Sequence, residues 1–422
     1  MAYTLITIIC NIYFHPLSKF PGPKVAAATK FPIAYMSWKG ELSHWFRKLH
    51  EEYNSDVVRT SPDELSIISP EAWKDLYGLR PGHKNIPKDM RLHVGIDSIV
   101  TANDADHSRL RRVLAHAFSD KALKEQEPLI QSHVDMFLGQ LEKQSKDPSA
   151  GKLNFADWYN WYTFDVICDL SFGQSFDCVK DKTYHPWVAY LLKVLQAVVF
   201  FSVSQRFPPL DRLLVLMVPK SALVAIRDHK KKSADFVDQR IDSETDRIDF
   251  HSYILKHNDE KGMTRHELHE NAATLIGAGG ETSSGLLAGA TYLLLTHPAA
   301  YQKVMEGVRG SFQKKTDINI SEVAKLPYFE AVLKESFRMY PPAIFGQPRR
   351  TYAAGETVAG YWIPKNTGLQ LNQYAANYSA SNFTDPERFA PERWLGDAKY
   401  KDDHREGMQP FNIGVRNCIG RQ

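Results

Sequence analysis

The sequence predicts a mainly α protein with a small β-sheet, folded as one large domain. Three observations carry that prediction. Apolar residues recur at helical spacing over ten stretches of the 422 residues, whereas strand-like runs are few and short. From residue 25 onward no low-complexity linker, fixed-period repeat or composition shift marks a further domain. With 43% hydrophobic and 12% aromatic residues, the chain can bury a full core and is too aromatic to be disordered throughout.

The run Ala2 to Tyr13 is mostly apolar and uncharged, but its 12 residues fall well short of the roughly 20 that span a bilayer. It reads as a membrane-facing anchor stub (residues 1–16) in preference to a buried first helix. Pro16, Pro21, Gly22 and Pro23 exclude regular structure, so residues 17–24 are expected to form a stiff hinge before a body spanning 25–422. Helices are predicted over 41–53, 70–78, 105–118, 123–144, 153–172, 185–202, 219–242, 264–297, 298–313 and 327–340, with strands at 57–59 and 65–68. The charged run Arg227 to Lys232 reads as the solvated face of an amphipathic helix.

Lys plus Arg number 52 against 49 Asp plus Glu, a net charge of +3, so the excess needed for general nucleic-acid binding is missing. The four cysteines, Cys10, Cys168, Cys178 and Cys418, form no disulfide framework and show no zinc-type spacing. A cysteine that matters here works alone.

Three segments carry candidate chemistry. Between Ala272 and Thr296 the only charge is Glu281, and Gly277, Gly279, Gly280, Gly285 and Gly289 interrupt the apolar run. Each glycine costs a helix interior about 1 kcal/mol relative to Ala, so five together call for something large that approaches the backbone, and a flat cofactor is the expectation. The near match to a dinucleotide fingerprint lacks its third glycine and its strand-to-turn break. Glu281 and Thr282 in such a cleft are candidates for a proton relay. The competing reading is a Thr bonded back to its own helix and a Glu reaching solvent. Further on, Glu335 and Arg338 share a helix face, and Arg393 follows Pro391 in a turn; a bond from Arg393 to Glu335 would make a buried bidentate network. Exposed i,i+3 pairs are the common alternative. Last, Cys418 stands between Gly414 and Gly420 with Arg416 nearby, a setting that favours a thiolate suited to ligate haem iron, while Arg416 could pair with a propionate. A buried structural cysteine is the alternative.

AGGETS (278–283), ESFR (335–338), FAPERW and FNIGVRNCIG occur in the order and spacing of the cytochrome P-450 family, and the chain resembles that family of haem-thiolate monooxygenases over nearly its whole length. FHPLSKFPGPK, HSRLRRVLAHAFSDKAL, YWIP and NFTDPERFAPERWLGD resemble its fungal secondary-metabolism branch. The resemblance implies that Cys418 is the proximal iron ligand, that Glu281 and Thr282 deliver protons during dioxygen activation, and that Glu335, Arg338 and Arg393 form a structural triad. His107 and Arg111 stand where many members carry Trp-x-x-x-Arg, at a spacing fit for a propionate, although Arg109, Arg112 and His116 also allow a merely basic exposed helix. Arg349 is a further candidate propionate contact, with Arg350 as its competitor.

The family continues after the cysteine loop with a helix and strands, and this chain stops four residues after Cys418. The expectation is therefore a domain incomplete at its C-terminus around a buried haem b. The implied activity is hydroxylation or epoxidation of an apolar terpenoid or polyketide-like metabolite, with electrons from NADPH through a flavoprotein reductase. A catalytically silent haem-binding remnant is the alternative. The implied location is the cytosolic face of the endoplasmic reticulum membrane. The expected pocket loops, residues 90–102 and 200–215, follow no motif that names a substrate.

Overall fold

Helix-forming periodicity is realised throughout the chain in a computed structural model that describes residues 2–90, 98–149, 151–208, 220–243, 245–352 and 354–421. All ten expected helices are present, among them Leu42–Tyr53, Glu71–Tyr77, Asp104–Leu114, Phe155–Phe172, Arg265–Thr296 and Pro327–Met339. Local chemistry sets their ends. The Asn103 side chain accepts from the Asp106 N–H to cap one helix, and Gly173 at φ 72° closes another in the left-handed conformation. Several shorter helices, among them Lys24–Ala28, Phe31–Lys39 and Phe250–Lys256, were not expected.

Strands β1 (Val57–Ser61) and β2 (Glu64–Ile67) match the two strand-like runs, while β3 (Arg349–Arg350), β4 (Glu356–Val358), β5 (Tyr361–Ile363) and β6 (Gly368–Leu371) do not stand out by alternation. The main sheet runs β1-β2-β6-β3, and β4 with β5 is a separate hairpin. β2 and β6 pair in parallel, Leu65 opposite Leu369. Pairing across that much sequence depends on the folded chain and leaves no local periodicity.

The chain divides into two compact units that alternate along the sequence, which is why no linker between them is legible. The first comprises Met1–Leu92, Val199–Leu213 and Gly289–Cys418. Its sheet core gathers Val57, Leu65, Ile67, Trp73, Leu76 and Leu369, with a second cluster around Val304, Val332 and Phe389. The segment 17–24, expected to be a stiff hinge, is tied to that sheet core at two side chains and by one backbone bond. Leu17 and Phe20 are buried in it, and the Arg59 N–H donates to the Pro21 carbonyl at 2.7 Å. The helix Ala2–Ile9 buries none of its residues, and Tyr3, Leu5, Ile6, Tyr13 and Phe14 are exposed, so a buried first helix is ruled out. Among the described residues no helix is long and apolar enough to cross a membrane.

The second unit comprises His93–Val198, Leu214–Ala288 and Ile419–Gln422. Its core packs Leu110, Val113, Phe164, Trp187, Phe250 and Ile276. Arg227, Lys230, Lys231 and Lys232 face solvent as expected, but His229 among them is buried. Of the expected pocket loops, residues 91–97 and 209–215 lie outside the described residues.

Candidate active site

In the first unit the helix Pro327–Met339 turns Glu335 and Arg338 to the same buried side, and both side chains are fully buried. Arg338 donates to Glu335 through Nε (3.0 Å) and one Nη2 proton (2.8 Å). Its remaining protons go to the carbonyls of Asn377, Pro386 and Arg388, so all five guanidinium donors are used. Arg393 is also fully buried, with its Nε 3.5 Å from Glu335. The bidentate bond expected from Arg393 is made by Arg338 instead. Arg393 spends its hydrogen bonds on Asp403 and on the Thr384 carbonyl, and its guanidinium lies 4.3 Å from the Tyr400 ring centre. Glu335 gains two further donors, the Ala390 N–H (3.0 Å) and Trp394 Nε1 (2.9 Å). Sequence reasoning missed Asp403 and Trp394. Trp394, directly after Arg393, was visible in the motif, but Asp403 carried no signal among its acidic neighbours.

The cysteine loop is built differently. Asn412 (φ 58°) and Gly414 (φ 77°) adopt left-handed backbone, and the turn Gly414–Arg416 follows. The Cys418 N–H donates to the Phe411 carbonyl at 2.7 Å, closing the loop under an exposed thiol. Two other cysteines are chemically quiet. Burial pushes the Cys168 thiol well above its usual range, and burial beside Asp165 pushes that of Cys178 up to about 12. Cys10, like Cys418, is exposed.

The two arginines at β3 have different partners in this unit. Arg350 is committed to Asp89 (Nη2–Oδ2 2.9 Å) and to Asp63 (3.6 Å). Arg349 is buried, donates to the Ile86 carbonyl at 3.1 Å and lies 5.0 Å from the Tyr77 ring centre. Arg416 is half-buried.

In the second unit, His107 is buried and Arg111, one turn on, is half-buried on the same face. The other basic residues of that helix are not a free patch. Arg109 pairs with Glu267 (2.5 Å) and Arg112 with Asp259 (2.9 Å), while His116 stacks on His257 at 3.8 Å between ring centres.

The long helix Arg265–Thr296 runs unbroken through the glycines. Close approach is confirmed, but the approaching groups are mostly protein. A Cβ on Gly279 would stand 2.9 Å from Ile167, one on Gly280 2.8 Å from Phe164, and one on Gly289 2.5 Å from Tyr340. Only Gly285 meets nothing within 4 Å, and Gly277 only a Leu191 methyl at 4.0 Å. The flat cofactor expected to explain all five glycines therefore accounts for at most the open face. Ala278, Glu281 and Thr282 are exposed on that face, at helical spacing with Gly285. Thr282 Oγ1 donates to the Ala278 carbonyl at 2.5 Å, and Glu281 is exposed, as the competing reading of this pair described. The hydroxyl keeps its acceptor capacity.

These residues fit a haem. In the first unit an exposed soft sulfur donor on a backbone-closed loop and cations at Arg349 and Arg416 supply ligand and counter-charge. In the second unit, taken by itself, the helix face at Gly285 leaves room for a flat group.

Comparison with known proteins agrees with the motifs. The family model for Cytochrome P450 matches residues 35–422. The chain is 39% identical over 430 residues to "Cytochrome P450 monooxygenase lcsI" of Purpureocillium lilacinum, covering 100% of this chain and 83% of that protein. It is 41% identical to "Cytochrome P450 monooxygenase atr2" of Stereocaulon alpinum, covering 99% and 84%. It is 40% identical to "Averantin hydroxylase" of Dothistroma septosporum (strain NZE10 / CBS 128990), covering 100% and 80%. With a family match over most of its length and relatives at this identity, the chain belongs to the cytochrome P450 family.

Proposed function

We propose that this protein is a haem-thiolate monooxygenase that inserts one oxygen atom of dioxygen into an apolar secondary metabolite of terpenoid or polyketide type, by hydroxylation or epoxidation. The observation that carries the reading is the exposed thiol of Cys418 on its backbone-closed loop, in a chain of this family. When bound, the haem would supply dioxygen activation, a chemistry that electron donation from a thiolate would favour. The chain's own residues do the rest. Cys418 offers the sulfur, and Arg349, Arg416, His107 and Arg111 balance the propionates. Thr282 Oγ1 and Glu281 hold and pass protons on the open face of their helix, while the Glu335–Arg338–Arg393 network fixes the polypeptide without touching substrate.

Electrons come from NADPH through a flavoprotein reductase. The cytosolic face of the endoplasmic reticulum membrane is the proposed location, supported by the exposed Tyr3, Leu5, Ile6, Tyr13 and Phe14. Co-flotation with phospholipid vesicles that persists after deletion of residues 1–16 would remove that anchor from the reading. The presence of an averantin hydroxylase among the relatives supports hydroxylation as the reaction.

The test is Cys418→Ser in protein reconstituted with haem and reductase. Turnover and the thiolate-type Soret band of the reduced carbonyl complex should both disappear, with the fold intact because the side chain is exposed. A retained band assigns the ligand to another residue and overturns the reading. In a second arm, Thr282→Ala should keep haem while diverting reducing equivalents to peroxide; unchanged coupling of NADPH use to product removes the hydroxyl from proton delivery.

A further inference from the structure

The helix Glu71–Tyr77 ends against two of the groups assigned above to the haem. Tyr77, its last residue, is 5% exposed. Its backbone carbonyl occupies the place a side chain at Gly414 would need: an added Cβ there would stand 1.9 Å from Tyr77 O, and Gly414 is already left-handed at φ 77°. The turn of the cysteine loop is thus pressed onto the final carbonyl of this helix. The same residue's ring lies 5.0 Å from the guanidinium carbon of Arg349, within the range at which a ring face attracts a cation. Its hydroxyl donates to the Gln347 carbonyl at 2.8 Å, two residues before Arg349, and a Cβ on Gly346 would stand 2.3 Å from that hydroxyl.

The helix is itself anchored independently of both groups. Trp73 Nε1 donates to the Gly407 carbonyl at 2.8 Å, and Asp75 accepts from the Ala359 N–H at 2.8 Å. Burial raises the Tyr77 phenol well above its usual range, which keeps it a neutral hydrogen-bond donor at working pH. A rigid support therefore meets the loop through its backbone and the arginine through its side chain.

We infer that Tyr77 is a positioning residue that fixes the cysteine loop and Arg349 against one helix end, setting the Cys418 loop and the cation proposed for a propionate in a common frame. The inference rests on the proposed roles of Cys418 and Arg349. Its two contacts are separable, because a side-chain substitution at Tyr77 leaves the carbonyl that Gly414 touches.

The experiment uses the haem-loaded protein with Tyr77→Leu, Tyr77→Phe and Gly414→Ala, well below their unfolding temperatures. It reads the haem dissociation rate, the ferric reduction potential and the thiolate fraction of the reduced carbonyl complex. Tyr77→Leu should release haem about tenfold faster and shift the potential, as loss of outer-shell support does at metal sites. Tyr77→Phe, which keeps the ring under Arg349, should restore most of that loss. Gly414→Ala should lower the thiolate fraction and change the alkylation rate of Cys418 in haem-free protein. If Tyr77→Leu does not fold, the Gly414→Ala arm decides alone. Variants that lose only thermal stability, with haem release, potential, thiolate fraction and alkylation unchanged, show an ordinary core tyrosine and overturn the inference. A wild-type protein with no thiolate band overturns the reading of Cys418, and this inference with it.

Discussion

The charged network around Glu335 is fully buried and the glycine stretch of the long helix is packed on one side only, and they solve opposite problems. In the network, fully buried charges are retained by giving every Arg338 donor an acceptor and Glu335 two donors beyond the arginines. In the glycine stretch, side chains are removed so that Ile167 and Phe164 can lie on the helix backbone. One region spends polar contacts to hold its arrangement, the other spends helix propensity. The first should therefore fail sharply when a single charge is lost, and the second should fail only where a neighbour already fills the space.

The largest effect is expected from Glu335→Ala. It leaves Arg338 without its bidentate partner and Arg393 with Asp403 as its remaining carboxylate, inside a region where all three side chains are fully buried. Breaking a buried pair by removing one partner costs about 3–5 kcal/mol, enough to remove much of the folded protein. Urea denaturation should show it, with Cys418→Ser as a control that shifts stability by less than about 0.5 kcal/mol because the thiol is exposed. A Glu335→Ala protein within about 1 kcal/mol of wild type would mean that the network is held by its carbonyl contacts and not by charge.

Acid provides the next break, and it compares the same two styles of burial. His50 is held by hydrogen bonds to the Ser55 carbonyl (2.7 Å) and Ser66 Oγ (2.8 Å), and burial lowers its pKa to about 4. His229 is packed against Trp187, 4.7 Å between ring centres, and burial with a lesser contribution from Lys230 lowers it to about 4 as well. In the unfolded chain both rings protonate near 6.5. Between about pH 6.5 and 4 the unfolded state therefore binds more protons, so the stability these rings contribute is complete above that window and is lost as pH falls through it. Each ring accounts for about 3 kcal/mol across the window. Stability measured at several pH values should fall less steeply in His50→Gln and in His229→Phe than in wild type. An unchanged slope in either variant would show that its ring is not held neutral.

What the sequence made legible follows the same division. Helix positions were readable because apolar spacing is a local property, and Glu335, Arg338 and Arg393 were readable as one group because their motifs lie on a helix and an adjacent turn. Their actual bonding was not readable: Asp403 joins Arg393 only through the tertiary fold, and the roles of Arg338 and Arg393 toward Glu335 exchange relative to expectation. The sequence could not tell that Arg350, and not its neighbour Arg349, pairs with Asp89, a contact made only through the tertiary fold. The glycines announced a close approach without naming the approaching group, since a missing side chain looks the same beside Phe164 as beside a cofactor. Residues 17–24 misled for a related reason. Prolines forbid helix and ladder bonding, but they do not prevent Leu17 and Phe20 from entering a core.

The smallest effect sharpens the comparison most, because it separates glycines that the sequence treats alike. Replacing Gly280 with Ala adds a methyl that would lie 2.8 Å from Phe164, a fully buried ring with little room to yield. Overpacking of this kind costs about 1–3 kcal/mol, more than the roughly 1 kcal/mol of helix propensity that alanine returns. Gly285 sits on the same helix with nothing within 4 Å of an added Cβ, so Gly285→Ala should gain that propensity without the penalty. In haem-free protein the two substitutions are therefore expected to change stability with opposite sign, by about 1 kcal/mol each. Thermal unfolding of the two variants beside wild type measures the difference directly. If Gly285→Ala is destabilising as well, its face is occupied in the folded protein and is not the open strip on which Glu281 and Thr282 stand.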